Sequence, residues 1–479
     1  MTGPPGPDSY VSLWLDEALA EEAPQTTESG QPTGDAAGPL PPAADVLIVG
    51  GGFTGLWTAI RLLEHDPGLD VCLIEAQYCG YGASGRNGGI AEGSWAKFPA
   101  MVRLYGQAEA LRLAATIETG LTDLRAFCDH HQIDAQIRHR GNLWIASNQS
   151  QLGSWDKTVQ AAETAGVNPF KPVSAAEARD LTGSSQALGG VYEDHAATVQ
   201  PARLVRGLRR VAIEMGAKIF EHTPMTGYEG TGPVMVATPR GRISAGRVVL
   251  AMNAWAASYK QVKPHLFVTS SDIIATAPVP ELLTSEGLGG GMALSDSRRL
   301  ILYWRSTPDG RVVFGKGGGW MSRGNRVDRR FTGESAFRDE VIGRFHRLYP
   351  QLGDVQIERS WNGPIDYSST GLPYFGPLDD RNPAVLTGLG YSGMGVVQAV
   401  LGGRILASLA LGLRDEYAAL PLTRRWSARI PPDPFRSLGA PIVKAAVSRK
   451  ELMLDAEARP GRITQLIAGL DPTAGPSQS

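Results

Sequence analysis

The sequence predicts an α/β protein in which one main domain is joined to a second domain of α+β insertions. Three stretches indicate the main domain, because each places strand and helix patterns next to glycines: residues 45–97, 199–262 and 357–412. The intervening residues 98–198 and 263–356 have a different pattern and contain further strands. A chain of 479 residues also exceeds what one hydrophobic core usually serves. We therefore expect a domain assembled from three segments and a second domain assembled from the insertions.

Residues 1–44 are rich in Pro, Gly, Thr and Glu and predict a mobile arm with one anchor. Within it, "SLWLDEAL" predicts a short helix that docks Leu13, Trp14 and Leu15. Ordered structure is expected from "ADVLIVGGGFTGLWTAIRLLEHDPGLDVCLIEA" onward. The apolar run 46–49 predicts a strand, apolar residues at helical spacing follow, "HDPG" ends that helix, and 71–74 predicts a second strand. This order is a βαβ unit.

The first insertion begins with residues 98–130, which predict one long helix. A strand over "IRHRGNLWIAS" and a helix over "QLGSWDKTVQAAETAG" follow. "SAAEARDLTG" predicts a short helix, because Ser174 and Glu177 have the spacing of a capping box.

The second insertion and the chain end have weaker patterns. "PDG" between the β-rich runs "LILYWRS" and "RVVFGK" predicts a hairpin. Residues 413–479 predict a tail with an amphipathic helix near 440–457, and the chain has no internal repeat.

Composition excludes several classes of protein. The net charge of −2 provides no basic surface for nucleic acid or an anionic membrane. Three cysteines, Cys72, Cys79 and Cys128, form no CxxC pair, so neither a disulfide framework nor a metal site is expected. The N-terminus has no basic start followed by an apolar signal segment. We expect a cytoplasmic protein.

The glycines of the first strand–helix turn predict dinucleotide binding. Gly50, Gly52 and Gly55 fit GxGxxG between a strand and a helix. They would allow a tight turn, close approach of a pyrophosphate, and close packing of helix on strand. Glu75 ends the second strand, where an acid accepts ribose hydroxyls. The alternative is a glycine turn in an α/β domain that binds no nucleotide.

A second glycine loop favours FAD over NAD. After Glu75 the chain continues as "CGYGASGRNGG". Such a loop supplies backbone N–H groups, a Ser hydroxyl and Arg86 near the expected pyrophosphate, and its main chain can pass close to a flat ring. The alternative is a flexible surface linker.

These motifs, together with "ERSWNGPIDYSSTGLPYFG" and "LTGLGYSGMGVVQA", resemble the FAD-dependent D-amino-acid oxidase superfamily. The superfamily includes glycine and sarcosine oxidases, and the branch most similar here contains γ-glutamylputrescine oxidases and aminophosphonate oxidoreductases. The resemblance covers about residues 45–412. It implies a Rossmann-like FAD-binding domain of the glutathione-reductase type and a substrate domain that contains a sheet.

The resemblance also implies which residues hold FAD, position by position. They belong to the pyrophosphate loop and ribose end, the arginine loop, the adenine segment, a turn after a later strand, and the C-terminal glycine loop: Gly50, Gly52, Phe53, Thr54, Gly55, Glu75, Ala76, Ser84, Gly85, Arg86, Asn87, Gly88, Gly89, Met225, Asn253, Ala254, Gly393, Met394 and Gly395. The arginine loop, which is the segment "CGYGASGRNGG" at residues 79–89, has no His. No Cys lies beyond residue 128, so non-covalent FAD is expected.

Four residues are candidates for the substrate side. Glu92 stands where relatives that bind a carboxylate have an Arg, which favours a cationic substrate. Tyr303 and Arg305 alternate along a predicted strand and could share a face, and Arg305 could instead bind an anionic group. The lysine that assists oxygen in sarcosine oxidases falls near Val313, and Lys316 follows three residues later. The charge of the substrate stays open.

The expected activity is oxidation of the C–N bond of a small amine or amino acid to an imine, with O2 reduced to H2O2. Polyamines, N-methyl amino acids and aminophosphonates are candidate substrates. Two alternatives remain: a dehydrogenase that passes electrons to a quinone or a protein, and a flavin-binding subunit without activity. The oligomeric state is not predicted.

Overall fold

The computed structural model describes residues 12–22, 38–426 and 428–471. The predicted mobility of the N-terminal arm falls on residues 1–11 and 23–37, which lie outside this part of the chain. Within the described residues there are twelve α-helices: α1 Leu13–Glu22, α2 Phe53–His65, α3 Phe98–Tyr105, α4 Gln107–His130, α5 Asp156–Thr164, α6 Ala175–Thr182, α7 Pro201–Glu214, α8 Pro280–Ser285, α9 Arg338–Leu348, α10 Gly395–Leu411, α11 Phe435–Asp455 and α12 Arg462–Ala468.

The same part of the chain forms eighteen strands in three sheets. In chain order they are β1 Ala43–Val49, β2 Val71–Ile74, β3 Ile90–Glu92, β4 Asn142–Ile145, β5 Phe170–Val173, β6 Gly190–Glu193, β7 Ala196–Thr198, β8 Lys218–Phe220, β9 Gly227–Glu229, β10 Val234–Thr238, β11 Gly241–Leu250, β12 Leu266–Thr276, β13 Ala293–Asp296, β14 Leu302–Ser306, β15 Val312–Lys316, β16 Ile357–Ser368, β17 Tyr374–Asp379 and β18 Asn382–Leu389.

The first sheet has a parallel centre, as the βαβ pattern predicts. Its order is β17-β18-β11-β1-β2-β8, with β10 paired to β11 and β9 paired to β10. β18, β11, β1, β2 and β8 run parallel, and β2 is buried along its whole length. α10 packs on α2 so closely that a Cβ on Gly403 would lie 2.5 Å from the Cβ of Trp57. The expected Rossmann-like domain is therefore present, with its nucleotide edge at the carboxyl ends of β1 and β2.

The second sheet has the order β16-β12-β15-β14-β13-β4-β6-β5 and is antiparallel except for the β13–β4 pair. The "PDG" hairpin forms between β14 and β15 as predicted. A separate two-stranded ribbon of β3 and β7 connects the segments that enter and leave the first insertion. The α/β class and the sheet-containing second domain are thus confirmed.

Some sequence predictions of single elements need correction. The helix predicted over residues 98–130 is two helices, because Gly106 has a φ of +82° and separates α3 from α4. The tail has α12 in addition to the predicted α11. The segment from 357 begins with β16, which pairs with β12 in the second sheet. The division of the chain into domains, with a segment that begins at 357, remains our proposal.

The docked N-terminal helix and the capping box are confirmed. Leu13, Trp14 and Leu15 are buried and belong to one apolar cluster with Ile273 and Trp361. Ser174 and Glu177 bond reciprocally at the start of α6. Among the described helices, none combines the length and the apolar character needed to cross a bilayer.

Candidate active site

The turn between β1 and α2 leaves room only for glycine at its key positions. Gly50 has a φ of +114°, which side chains rarely adopt. A Cβ on Gly55 would lie 1.9 Å from the carbonyl oxygen of Gly50, and a Cβ on Gly52 would lie 2.9 Å from Oγ of Ser84. Ser84 accepts the backbone N–H of Phe53 at 2.9 Å, which positions the arginine loop over the N-terminus of α2. The turn thus forms an anion cradle.

Glu75 is fixed at the end of β2 by backbone donors. Its carboxylate accepts the N–H of Gly51 at 2.7 Å and that of Gln77 at 3.0 Å. Burial raises the pKa of Glu75, while these N–H groups lower it. The side chain lines the cavity, where it can accept further hydrogen bonds.

The arginine loop is rigid because its own side chains bind its backbone. The Asn87 amide donates to the carbonyls of Ala83 and Ser84, both at 3.0 Å, and accepts the N–H of Gly89 at 2.8 Å. From outside, Trp14 of α1 donates to the Asn87 carbonyl at 2.9 Å. The loop predicted as a flexible linker in the alternative interpretation is instead held on both sides.

Arg86 lies in this loop and is 1% exposed. Its Nε donates to the Tyr81 carbonyl at 2.7 Å, and its guanidinium stacks over the Tyr81 ring at 4.9 Å. Nη1 lies 3.4 Å from the carbonyl oxygen of Asn362 on β16. Arg86 therefore connects the loop to the second sheet, and it also borders the cavity.

The C-terminal glycine loop closes the site from the other side. The hydroxyls of Tyr391 and Thr54 lie 2.6 Å apart, which connects this loop to the start of α2. Asp366 on β16 accepts the N–H of Gly390, and burial raises the pKa of Asp366 to about 7. Gly393 has a φ of +92° and leads into the N-terminus of α10. Both loops thus meet around one space.

That space is a single cavity of about 1340 Å³, larger than a typical pocket for one small ligand. Most predicted cofactor residues form its wall: Gly50, Gly52, Phe53, Thr54, Glu75, Ala76, Ser84, Arg86, Asn87, Gly88, Met225, Asn253, Gly393, Met394 and Gly395. The others are not in the wall. Gly55 packs on Gly50, while Gly85 packs on Leu15 and the Gly80 carbonyl. Gly89 lies against the Val199 carbonyl, and Ala254 is fully buried.

Glu92 lies at the end of β3 and lines the cavity. Its Oε2 accepts a hydrogen bond from the Asn142 amide at 2.9 Å. Burial raises the pKa of Glu92 to about 7, and the charge of Lys97 acts in the opposite direction. Glu193, which is directly opposite Asn142 in the β4–β6 pair, lies in the same wall.

The three candidates that lie in the second insertion have different positions in the structure. Tyr303 lines the cavity, its hydroxyl lies 2.7 Å from Oγ of Ser271, and its ring contacts Gly88 closely enough to exclude any side chain there. Burial raises the pKa of Tyr303 above its ordinary value, which keeps the phenol protonated. Tyr303 is thus placed to contact a bound ring or substrate.

Arg305 and Lys316 are not in the cavity wall. Arg305 is 1% exposed, donates to the Val199 carbonyl at 2.7 Å, and stacks over Trp14 at 5.0 Å. Nζ of Lys316 lies 3.2 Å from the carboxylate of Glu340 on α9. The interpretation of Arg305 as an anion-binding residue and of Lys316 as a residue beside the flavin is not supported by these positions.

Several wall residues were not singled out from the sequence: Lys97, Asn142, Glu193, Asp366, Tyr367 and Tyr391. Glu193 had a usable signal, since it alternates with the apolar Val191 just before the return to the first domain. Asp366 had a weaker signal, as an acid within the apolar half of a long strand. The other four have no pattern that separates them from core or surface residues.

A dinucleotide cradle that opens into a cavity with buried carboxylates defines a nucleotide-dependent oxidoreductase. The comparison with known families agrees. Residues 45–409 match the family described as DAO, FAD dependent oxidoreductase, and the chain belongs to this family. The predictions of the family, of FAD as cofactor and of an oxidoreductase are thereby confirmed.

Individual relatives cover most of the chain. γ-Glutamylputrescine oxidoreductase of Escherichia coli K12 is 29% identical over 404 residues, which are 83% of this chain and 91% of that protein. Glycine oxidase from Geobacillus kaustophilus has a TM-score of 0.65 at 20% identity and covers 81% of this chain and 100% of its own. L-Proline dehydrogenase from P. horikoshii has a TM-score of 0.63 at 20% identity, covering 80% and 96%. The two structures support the fold.

The residues present fit FAD. The glycine cradle leaves space where a Cβ on Gly52 would intrude, the N-terminus of α2 faces that space, and Glu75 supplies a fixed acceptor beside it. Gly88 and Met394 lie in opposite loops that border the same cavity. The cradle at Gly52 would hold the phosphates, Glu75 would bind the ribose, and the loops of Gly88 and Met394 would border the ring system.

Proposed function

We propose that this protein oxidises the C–N bond of a small amine or amino acid to an imine, which water converts to an aldehyde or keto acid and a released amine. The observation that carries the proposal is the continuity of one cavity from the cradle at Gly52 to the carboxylate of Glu92. FAD, when bound, accepts the two electrons of such an oxidation. We propose O2 as the final acceptor, with H2O2 as its product.

The chain's own residues orient the substrate and set its charge state. Glu92 and a second carboxylate in the same wall, Glu193, favour a cationic amine over an anionic group, while Lys97 in this wall offsets part of the charge of Glu92. Tyr303 limits the space above Gly88 and can donate or accept one hydrogen bond. The name of the Escherichia coli relative, γ-glutamylputrescine oxidoreductase, supports an amine substrate.

The electron acceptor has a second candidate. Lys316 is bound to Glu340 outside the cavity wall, so the lysine expected to assist oxygen is not beside the site. This position of Lys316 is the observation that supports the second candidate, a dehydrogenase that passes electrons to a quinone or a protein. Two measurements separate an oxidase from a dehydrogenase: formation of H2O2 under air, and reduction of an artificial quinone when air is absent.

We further propose that FAD is held without a covalent bond. Cys72, Cys79 and Cys128 are free and buried, and no His or Cys belongs to the cavity wall in the described part of the chain. Free buried thiols also fit a cytoplasmic location, which we propose as well.

An anaerobic absorbance screen tests the function. The holoenzyme is mixed with diamines, monoamines, N-methyl amino acids and aminophosphonates, and loss of the flavin absorbance near its visible maximum reports oxidation of the compound. We expect bleaching by at least one amine and recovery under air. Failure of every compound to bleach the flavin would favour a flavin-binding subunit without activity.

A further inference from the structure

The cavity has an acidic end that the proposed oxidation step does not use. Glu193 at the end of β6 is 5% exposed, and its Oε1 has no hydrogen-bond partner among the described residues. Asn142, directly across in β4, is 6% exposed. Because its amide nitrogen donates to Glu92, its Oδ1 is left without a partner as well. Oε1 of Glu193 and Oδ1 of Asn142 are thus two buried acceptors side by side in the wall, and a bound ligand with hydrogen-bond donors could satisfy both.

The charges that act on Glu193 are negative, and among the described residues the negative charge of the cluster is not balanced by a cation beside Glu193. The charges that act on Glu193 are those of Glu92 and Glu118, both negative, and with burial they raise its pKa well above the ordinary value. Lys97 acts on Glu92, and His195 lies 3.9 Å from Glu118. An added cation would therefore relieve the repulsion between Glu92 and Glu193.

The chemistry of the acceptors favours an ammonium group. A protonated amine has three donors and no acceptor, and the niche has acceptors on Glu193, Asn142 and Glu92. The described residues have no cluster of His, Cys, Asp and Glu that could hold a metal ion. Apolar groups lie beside the acceptors in the same wall, on Trp144, Phe170 and Val191, where methylene groups could pack.

We propose that Glu193, Asn142 and Glu92 form a subsite for the second ammonium group of an aliphatic diamine, while the first amino group is the one oxidised. This rests on the proposed function and narrows its substrate class. The chain passes from Gly89 of the arginine loop to Glu92 in three residues, about 10 Å of strand. The subsite thus lies at most about 10 Å along the chain from the arginine loop that borders the cavity, a span that a short aliphatic diamine can cover together with the side chains that bind it.

The test compares butane-1,4-diamine with butylamine on the holoenzyme of the full chain. We expect kcat/KM to favour the diamine, and Glu193→Gln to reduce that preference about 10- to 100-fold, as for loss of a charge-assisted hydrogen bond. Glu118→Gln is the matched control, because Glu118 belongs to the same acidic group but not to the cavity wall. The Glu118→Gln variant should keep the wild-type preference for the diamine over butylamine. Asn142→Ala should weaken the preference and serves as the second variant if Glu193→Gln fails to bind flavin.

Anaerobic calorimetry gives a readout that does not need turnover. Binding of the second ammonium should expel the proton of Glu193, so the diamine should release more protons than butylamine when buffers of different ionisation enthalpy are compared. Glu193→Gln should abolish this difference. If the diamine binds tighter and loses that advantage in Glu193→Gln while neither amine bleaches the flavin, the subsite stands and the proposed oxidation fails. If wild type shows no preference for the diamine, or Glu193→Gln retains it, the subsite is overturned.

Discussion

Replacement of Glu92 by Gln should make the protein more stable and a poorer enzyme. The amide keeps an oxygen that can accept the Asn142 hydrogen bond, so the local geometry is preserved. What it removes is a carboxylate that the fold holds in a partly desolvated position. A residue kept only for structure would not be expected to destabilise the protein, so the two effects together would mark Glu92 as functional.

The magnitude follows from the pKa of Glu92. Burial raises it from an ordinary 4.5 to about 7. At 1.36 kcal/mol per pKa unit, full ionisation in the fold would cost about 3.4 kcal/mol. Because the group borders a cavity that water can enter, we expect about 1–2 kcal/mol. The native state binds the proton more tightly than the unfolded chain, so stability falls as the pH rises from 4.5 to 7 and the full cost is present above 7.

The assay is denaturant unfolding of the holoenzyme at pH 5 and pH 8, with kcat/KM for a cationic amine measured in parallel. Glu92→Gln should be more stable than wild type at pH 8, and the gain should shrink toward pH 5. Its FAD content should be unchanged and its kcat/KM lowered about tenfold. Glu281→Gln, at an exposed position, serves as control. Equal stability at pH 8 together with unchanged kcat/KM would refute the assignment and leave Glu92 a solvated residue of the cavity wall without a role in the reaction.

Three further outcomes test the cofactor site. Acid precipitation should release the yellow colour as free FAD, whereas colour retained in the pellet would show a covalent bond. Gly52→Val should abolish FAD binding, because its side chain would enter the cradle beside Ser84; full flavin absorbance after gel filtration would show that the phosphate loop is elsewhere. Trp14→Ala should destabilise the protein by about 3–5 kcal/mol and weaken FAD retention, since Trp14 holds the Asn87 carbonyl and the Arg305 guanidinium. Unfolding and flavin release that match wild type would contradict this.

The cofactor half of the site could be predicted because its requirements are local. Gly50 needs a positive φ, and Gly52 and Gly55 need space that only a missing side chain provides; both demands are visible as glycines at fixed spacing between a strand and a helix. The docked helix was predictable for a similar reason, since "SLWL" is a short apolar run in a polar arm. Gly106, by contrast, lies within an apolar periodicity that continues on both sides, so the break between α3 and α4 was missed.

The substrate half could not be predicted because its residues meet only through long-range strand pairing. Tyr303 and Arg305 share a strand face as alternation requires, yet only Tyr303 reaches the cavity; Arg305 continues beneath Gly89 to the Val199 carbonyl. Which of two residues on one strand face borders the cavity depends on the element that covers each of them. Here α1 covers Arg305 through Trp14 and leaves Tyr303 at the cavity. Glu193 and Asn142 become neighbours only through the register of β4 and β6. The sequence therefore left the charge of the substrate open, because neither the register that brings Glu193 into the wall near Glu92 nor the contacts that keep Arg305 out of it can be seen in a linear pattern.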